Sequence, residues 1–259
     1  MIPCSRSIYL ILFLALNSLY GSRVIVKVWE GDFVQEYQIV EQGKVWRIDA
    51  PTKNWSIIYH SETGSYTGIE HRDAAYWGFR WDDVQKALQN SKHHFRRFSD
   101  LNIEGFASYD LTRPMEAPTE KEEWKVQSIK GDEIWEGFPS HSWLLSTTKK
   151  NDIHARTVST AFLHNFFGRF SVIHDQIRQA VIRSLWPEWV EEASLELKKE
   201  TETPVEMKWG SEKNPYYWKV VHFEEKTEEP PSFFEVPSKY HATTVESLRG
   251  ILEEVEAKP

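Results

Sequence analysis

Hydrophobic and polar residues alternate through most of residues 23–79, and small or polar turns interrupt them at short intervals. Residues 23–29 (RVIVKVW) end on Glu30-Gly31-Asp32. Residues 33–40 run back to Glu41-Gln42-Gly43, and residues 44–48 (KVWRI) lead into the longer loop 49–54. Residues 55–79 (WSIIYHSETGSYTGIEHRDAAYWGF) contain three more β-branched and aromatic runs, at 57–59, 66–69 and 76–79. The turns between them are SETG and His71-Arg72-Asp73. This pattern predicts six strands in an antiparallel meander. Several strands are apolar on both sides, as in KVWRI, where Val45 and Ile48 point to opposite faces. A sheet with one face in water is more polar on that face, so this sheet is expected to be covered on both: by helices on one, by something further on the other.

The period then changes. Trp81, Val84, Leu88, Ser91 and Phe95 recur at three- and four-residue steps, which predicts a helix over 81–95. Asp82 and Asp83 in its first turn, with Lys92, His93 and Arg96 in its last, complement the helix dipole. Residues 102–123 are polar, hold Pro114 and Pro118, and read as a loop within one domain, centred on about 104–123. Strands resume at 124–130, 133–135, 141–147 and 152–160. Residues 162–167 can open a helix, and 172–185 form a clearer one with Ile173, Ile177, Val181 and Leu185 on one face. Pro187 ends that helix and suits the first turn of another, with Trp189, Val190 and Ala193 buried. Residues 204–209 and 216–224 read as strands and 224–231 as an acidic, proline-ended loop. Residues 232–240 (SFFEVPSKY) read as a terminal strand, followed by a charged helix or tail over 242–259.

The first residues bear on destination. Arg6 precedes the apolar run 8–16 (IYLILFLAL), and 17–22 are mostly small or polar. The apolar run has the length of a signal-peptide core and is far short of the roughly 20 residues that span a bilayer. A signal peptide over 1–22 is expected, cut after Gly21 or Ser22, with export to a periplasmic or secreted destination and no stable transmembrane segment after processing. The single cysteine, Cys4, precedes the apolar run, so it is not a lipidation cysteine and the mature chain has no thiol chemistry. The net charge of −8 becomes −9 when Arg6 is removed with the leader, which argues against nucleic acid or anionic lipid surfaces as partners.

Composition adds one further point: twelve Trp, ten Tyr and fourteen Phe are many for this length, and such side chains build cores or line sites for apolar and planar ligands. Catalytic patterns are weak beside this. His60 and His71 flank the central hairpin, where a metal would need them to approach across strands, and the rings of the adjacent His93 and His94 diverge on a helix; no H-E-x-x-H spacing occurs. Gly64-Ser65 and Gly210-Ser211 lack a nucleophile elbow. Glu62, Glu70 and Asp73 are more simply turn residues than an acid/base pair, and the 92–97 cluster KHHFRR more simply a helix end than an anion site. The chain reads as a non-enzyme with no cofactor.

The order of elements, with Lys44-Val45-Trp46-Arg47-Ile48-Asp49, the stretch Trp55 to Tyr66, Gly137-Phe138-Pro139, and Phe234-Glu235-Val236-Pro237 followed by Tyr240, resembles the LolA/LolB-like superfamily of bacterial cell-envelope proteins. The resemblance covers most of residues 23–241 and implies a single α+β domain: a curved antiparallel sheet, a half-open β-barrel, with helices packed on its concave face. It implies a lipid or other apolar ligand held between sheet and helices. The residues expected to line that space are Trp55, Tyr59, Tyr66, Trp77, Phe79, Val84, Leu88, Ile177 and Val181. A long, Trp-rich helical insertion can instead fill the cavity. The chain would then be a structural component of the cell envelope that contacts another envelope protein.

Overall fold

The computed structural model describes residues 20–82, 124–147, 152–181, 188–198, 202–211 and 214–243. The expected leader up to residue 19, the body of the 81–95 helix with Val84 and Leu88, the 104–123 loop and the tail beyond 243 lie outside the described residues. Among the described residues the architecture is α+β: two helices and a large mixed sheet that does not close on itself.

Six strands follow one another as an antiparallel meander: β1 (Gly21–Glu30), β2 (Phe33–Gln42), β3 (Val45–Ala50), β4 (Trp55–His60), β5 (Ser65–Glu70) and β6 (Ala75–Arg80). The expected cut after Gly21 or Ser22 falls inside β1. Glycines make the turns where the sequence placed them. Gly31, Gly43 and Gly64 all have positive φ, at 62°, 62° and 60°, a region L-residues with a Cβ rarely enter.

A second meander holds β7 (Lys125–Trp135), β8 (Phe138–Ser146), β9 (Ile153–Val158), β10 (Thr203–Ser211) and β11 (Asn214–Thr227). The runs 124–130 and 133–135 are one strand, not two. A register shift between Ile129 and Glu133 marks an irregularity in β7 that breaks the apolar period without ending the pairing. The two meanders join where β11 pairs antiparallel with β1, Val26 opposite Val220 and Val28 opposite Trp218.

Residues 232–240 do not form a strand. Residues Pro231–Phe234 make a 3-10 turn, and pairing begins only at β12 (His241–Ala242), which runs parallel along the edge of β6. Pro231 and Pro237 explain the difference, since neither has an N–H to give to a ladder.

Period 2 sorts the strands into two faces. One carries Val24, Val26, Ile39, Trp46, Ile48, Tyr66, Val205, Met207, Trp218 and Val220, all buried. Helix α1 (Ala161–Val181) meets this face. Its start is capped by Thr160, whose hydroxyl accepts from the Leu163 N–H at 3.2 Å. Leu163, Phe166, Phe170, Ile173 and Ile177 are buried along it at helical spacing. Its aromatic contacts fix its course. Phe162 stacks on Phe223 of β11, Phe166 and Phe170 lie 5.3 and 5.9 Å from Trp46 of β3, and Gln176 bonds Tyr66 of β5. Helix α2 (Glu188–Lys198) buries Val190, Ala193 and Leu197 and contacts β10.

The opposite face is buried too, at Val40, Ser56, Ile58 and Ile69. Its cover is the segment after β11, which reaches β3 at Phe233 and the β5–β6 turn at Tyr240. This is the second covering layer that the two-sided apolar strands required.

Candidate functional site

The strand register brings four aromatic residues into one stack on the helix side. Tyr59 lies opposite Tyr66, and Tyr66 opposite Phe79. Their rings stack at 4.4 and 4.9 Å between centroids, the second pair only 9° from parallel. Trp77 lies opposite Gly68, spreads its indole over that residue, and stacks on Phe79 at 5.8 Å. Trp46 continues the row on β3, opposite Tyr59, and connects it to Phe166 and Phe170.

Burial is uneven along this ladder. Tyr66 is 1% exposed and Phe79 7%, whereas Tyr59, Trp77 and the neighbouring Trp55 are half-buried. Trp55 packs at 6.3 Å from Tyr37. The row is therefore unevenly covered, with Tyr59 and Trp77 half-buried beside the almost fully buried Trp46, Tyr66 and Phe79.

Its two phenols are un-ionised. Tyr66 Oη–H donates to Gln176 Oε1, and burial raises its pKa far above that of an ordinary phenol. Burial also raises Tyr59, partly offset by its hydrogen bond with Tyr66. Glu70, on the same face of β5 beyond Gly68, is raised by burial and by Asp73, against the Arg72 N–H at 3.0 Å and the Arg72 charge. Such a surface presents π-faces and two un-ionised phenols, which suits an apolar or planar molecule and offers it orientation by hydrogen bonds.

Of the nine residues expected to line a ligand space, Tyr59, Tyr66, Trp77 and Phe79 form the ladder, and Trp55 shares its face of β4 but packs on Tyr37. Ile177 is buried in α1, one residue from Gln176, and Val181 closes that helix. Val84 and Leu88 lie outside the described residues. Trp46, Phe166, Phe170 and Gln176 were not anticipated. Trp46 was within reach of the sequence, since alternation places it on the same face as Ile48. Gln176 carried no signal, because its partner is 110 residues away.

The pairing of His60 with His71 is not realised. They sit at opposite ends of the β4–β5 pair, six residues apart along the strands, or roughly 20 Å at 3.3 Å per residue. Among the described residues no group of three His, Cys, Asp or Glu side chains is placed to hold a metal. A separate polar cluster joins β8 and β9. Trp143 Nε1–H donates to Thr157 Oγ1 at 2.7 Å, Thr157 donates to Glu202, and the other Glu202 oxygen lies 2.5 Å from His141 Nδ1. Each of these bonds ties one strand or loop to the next, an arrangement that holds the second meander together.

No family model matches this chain, and no curated protein matches it either. Among solved structures, one described as "Structure of PNGF-II in C2 space group" aligns over 91% of this chain at 4% identity and a TM-score of 0.35. This chain spans 33% of that structure's length. A likeness at that level carries no argument about fold or function.

Proposed function

We propose that this protein is a non-catalytic, extracytoplasmic binding protein that holds a lipid or other apolar ligand between its sheet and its helices. The observation that carries this reading is the partly uncovered aromatic ladder Tyr59–Tyr66–Phe79–Trp77. The half-buried rings of Tyr59 and Trp77 keep π-surface within reach of a bound molecule, with Tyr66 and Phe79 behind them. In this reading the sheet is a half-open barrel and α1 lies on its concave side. Trp55, Tyr59 and Trp77 form the mouth, while Tyr66 and Phe79 form the wall. The apolar run at residues 8–16 supports an exported destination.

The test is binding of a fluorescent fatty-acid analogue to purified protein lacking residues 1–20, after solvent delipidation, with native mass spectrometry of the undelipidated protein alongside. Saturable binding that Tyr59→Ala/Trp77→Ala weakens at least tenfold supports the reading. No bound and no bindable apolar molecule overturns it, and leaves the ladder as a packed wall of an envelope component that acts through a protein partner.

A further inference from the structure

One carboxyl stands among the rings of the mouth. Glu70 of β5 pairs directly with Trp55 of β4 on one side and with Ala75 of β6 on the other. Side chains opposite one another on such strands have Cβ atoms about 5 Å apart. Gly68, two residues earlier on the same face of β5, is the residue that the Trp77 indole covers. Glu70 thus borders both indoles, and like them it is half-buried. Tyr66 follows on the same face of β5, so the aromatic surface runs about 13 Å, at 3.3 Å per residue, from this carboxyl to the buried phenol beneath α1.

Little balances the charge of that carboxyl. It accepts one hydrogen bond, from the Arg72 N–H at 3.0 Å, and no Lys, Arg or His among the described residues forms an ion pair with it. Of the charges that act on it, Asp73 repels more strongly than the exposed Arg72 attracts. The other nearby cations serve the opposite face of the sheet. There Arg47, Asp49, Ser56, His71 and Tyr240 form a network of hydrogen bonds, with Arg47 on Asp49 at 2.8 Å, His71 on Ser56 at 2.6 Å and Tyr240 on His71 at 3.0 Å. Glu70 and Asp73 against Arg72 leave this corner of the ligand face with one net negative charge.

We propose that Glu70 is the head-group subsite of the ligand face, and that the apolar ligand carries a cationic head, a quaternary ammonium above all. This rests on the reading of the ladder as a ligand site and names the chemistry of its occupant. A carboxylate and an indole π-system attract the same kind of partner, a cation. A primary ammonium brings three N–H donors that need acceptors, whereas a quaternary ammonium brings none and turns only methyl groups to the rings. One carboxyl beside two indoles therefore fits the quaternary ion better. A single positive charge cancels the net charge of the corner, and the tail then runs past Trp77 towards Tyr59, Tyr66 and Phe79. An anionic head in the same place meets Glu70 and Asp73 as like charges.

Calorimetric titration of the delipidated full chain at pH 8 tests this, with an alkyltrimethylammonium ion and the fatty acid of equal chain length, both kept below micelle-forming concentrations. The wild type is expected to bind the cation about tenfold or more tightly than the fatty acid. Glu70→Gln keeps the size of the side chain and an acceptor for the Arg72 N–H, and is expected to reduce that ratio about tenfold. Glu62→Gln removes an equal charge from the exposed β4–β5 turn and is expected to leave the ratio within about twofold of wild type. Equal binding of the two amphiphiles by wild type, or the same change of ratio in both variants, overturns the proposal and leaves the ladder standing as a ligand site. Binding of neither amphiphile overturns the ligand-site reading and this proposal with it. Should Glu70→Gln fail to fold, carbon NMR of the wild type decides: the Glu70 carboxyl must titrate at lower pH with the cationic amphiphile bound than without it, and an unmoved or raised midpoint overturns the proposal.

Discussion

The indole of Trp77 lies so close over Gly68 that a Cβ built on Gly68 would sit 2.4 Å from its ring carbons. Gly68 lies on β5 in ordinary extended pairing with β4 and β6, so its lack of a side chain serves the ring and not the backbone. Gly68→Ala is expected to push Trp77 off the ladder and to destabilise the protein by about 1–3 kcal/mol, the usual range for overpacking. In a Trp77→Ala background the same change is expected to cost less than about 0.5 kcal/mol. Chemical denaturation of the four proteins of this double-mutant cycle checks both values.

Tyr66 links the sheet to α1, and its titration tests how dry the ladder is. Because burial raises its folded-state value above the ordinary phenol value of about 10, the unfolded chain gives up this proton first. The contribution of Tyr66 is therefore fully present below about pH 10 and is lost as pH rises beyond it. Stability is expected to fall between pH 9 and 11 more steeply in wild type than in Tyr66→Phe, with denaturant midpoints at each pH as the measure. At neutral pH the variant loses one hydrogen bond, about 1 kcal/mol.

The turn glycines and alternating apolar residues of β1 to β6 were legible because each strand pairs with its sequence neighbour, so local pattern and tertiary pairing agree. The ladder follows almost as directly. Once SETG closes one hairpin and His71-Arg72-Asp73-Ala74 the next, Tyr59, Tyr66 and Phe79 must share a row. What sequence could not show were long-range joins. The β1–β11 pairing brings together residues some 190 positions apart, and nothing in either strand names the other. The network of Arg47, Asp49, Ser56, His71 and Tyr240 likewise has no spacing signature, because four separate elements supply it. The segment 232–240 misled because aromatic and β-branched residues favour strands, while the prolines that forbid pairing there act through the backbone.

Contacts between α1 and the sheet separate into strong and weak ones. Phe166 is completely buried against Trp46 and Phe170, and Phe166→Ala is expected to cost about 3–5 kcal/mol through lost burial and a residual cavity. Arg169 makes a two-bond pair with Glu41 at 2.9 and 2.6 Å, but the Arg169 side chain is 52% exposed. Arg169→Ala is therefore expected to cost under about 1 kcal/mol. Thermal unfolding should separate the two variants clearly. Comparable losses would mean that the ion pair, not the aromatic contact, docks the helix.

The β7–β8 hairpin carries a turn that its own sequence does not favour. Trp135 pairs directly with Phe138, so Glu136 and Gly137 are the two loop residues, and both have positive φ, at 47° and 85°. Two successive positive φ values define the type I′ turn, for which Asn-Gly is the preferred pair. Glutamate at the first position has a β-carbon crowded by the backbone and no short side chain to bond locally, a cost of about 1 kcal/mol in the left-handed region. Glu136 is exposed, so replacing it removes no buried contact. Glu136→Asn is expected to stabilise the protein by roughly 0.5–1 kcal/mol, seen as a higher denaturant midpoint with an unchanged slope. Glu136→Ala, which keeps the strain, is expected to give no gain, and a gain of equal size from alanine would show that charge rather than turn geometry is responsible.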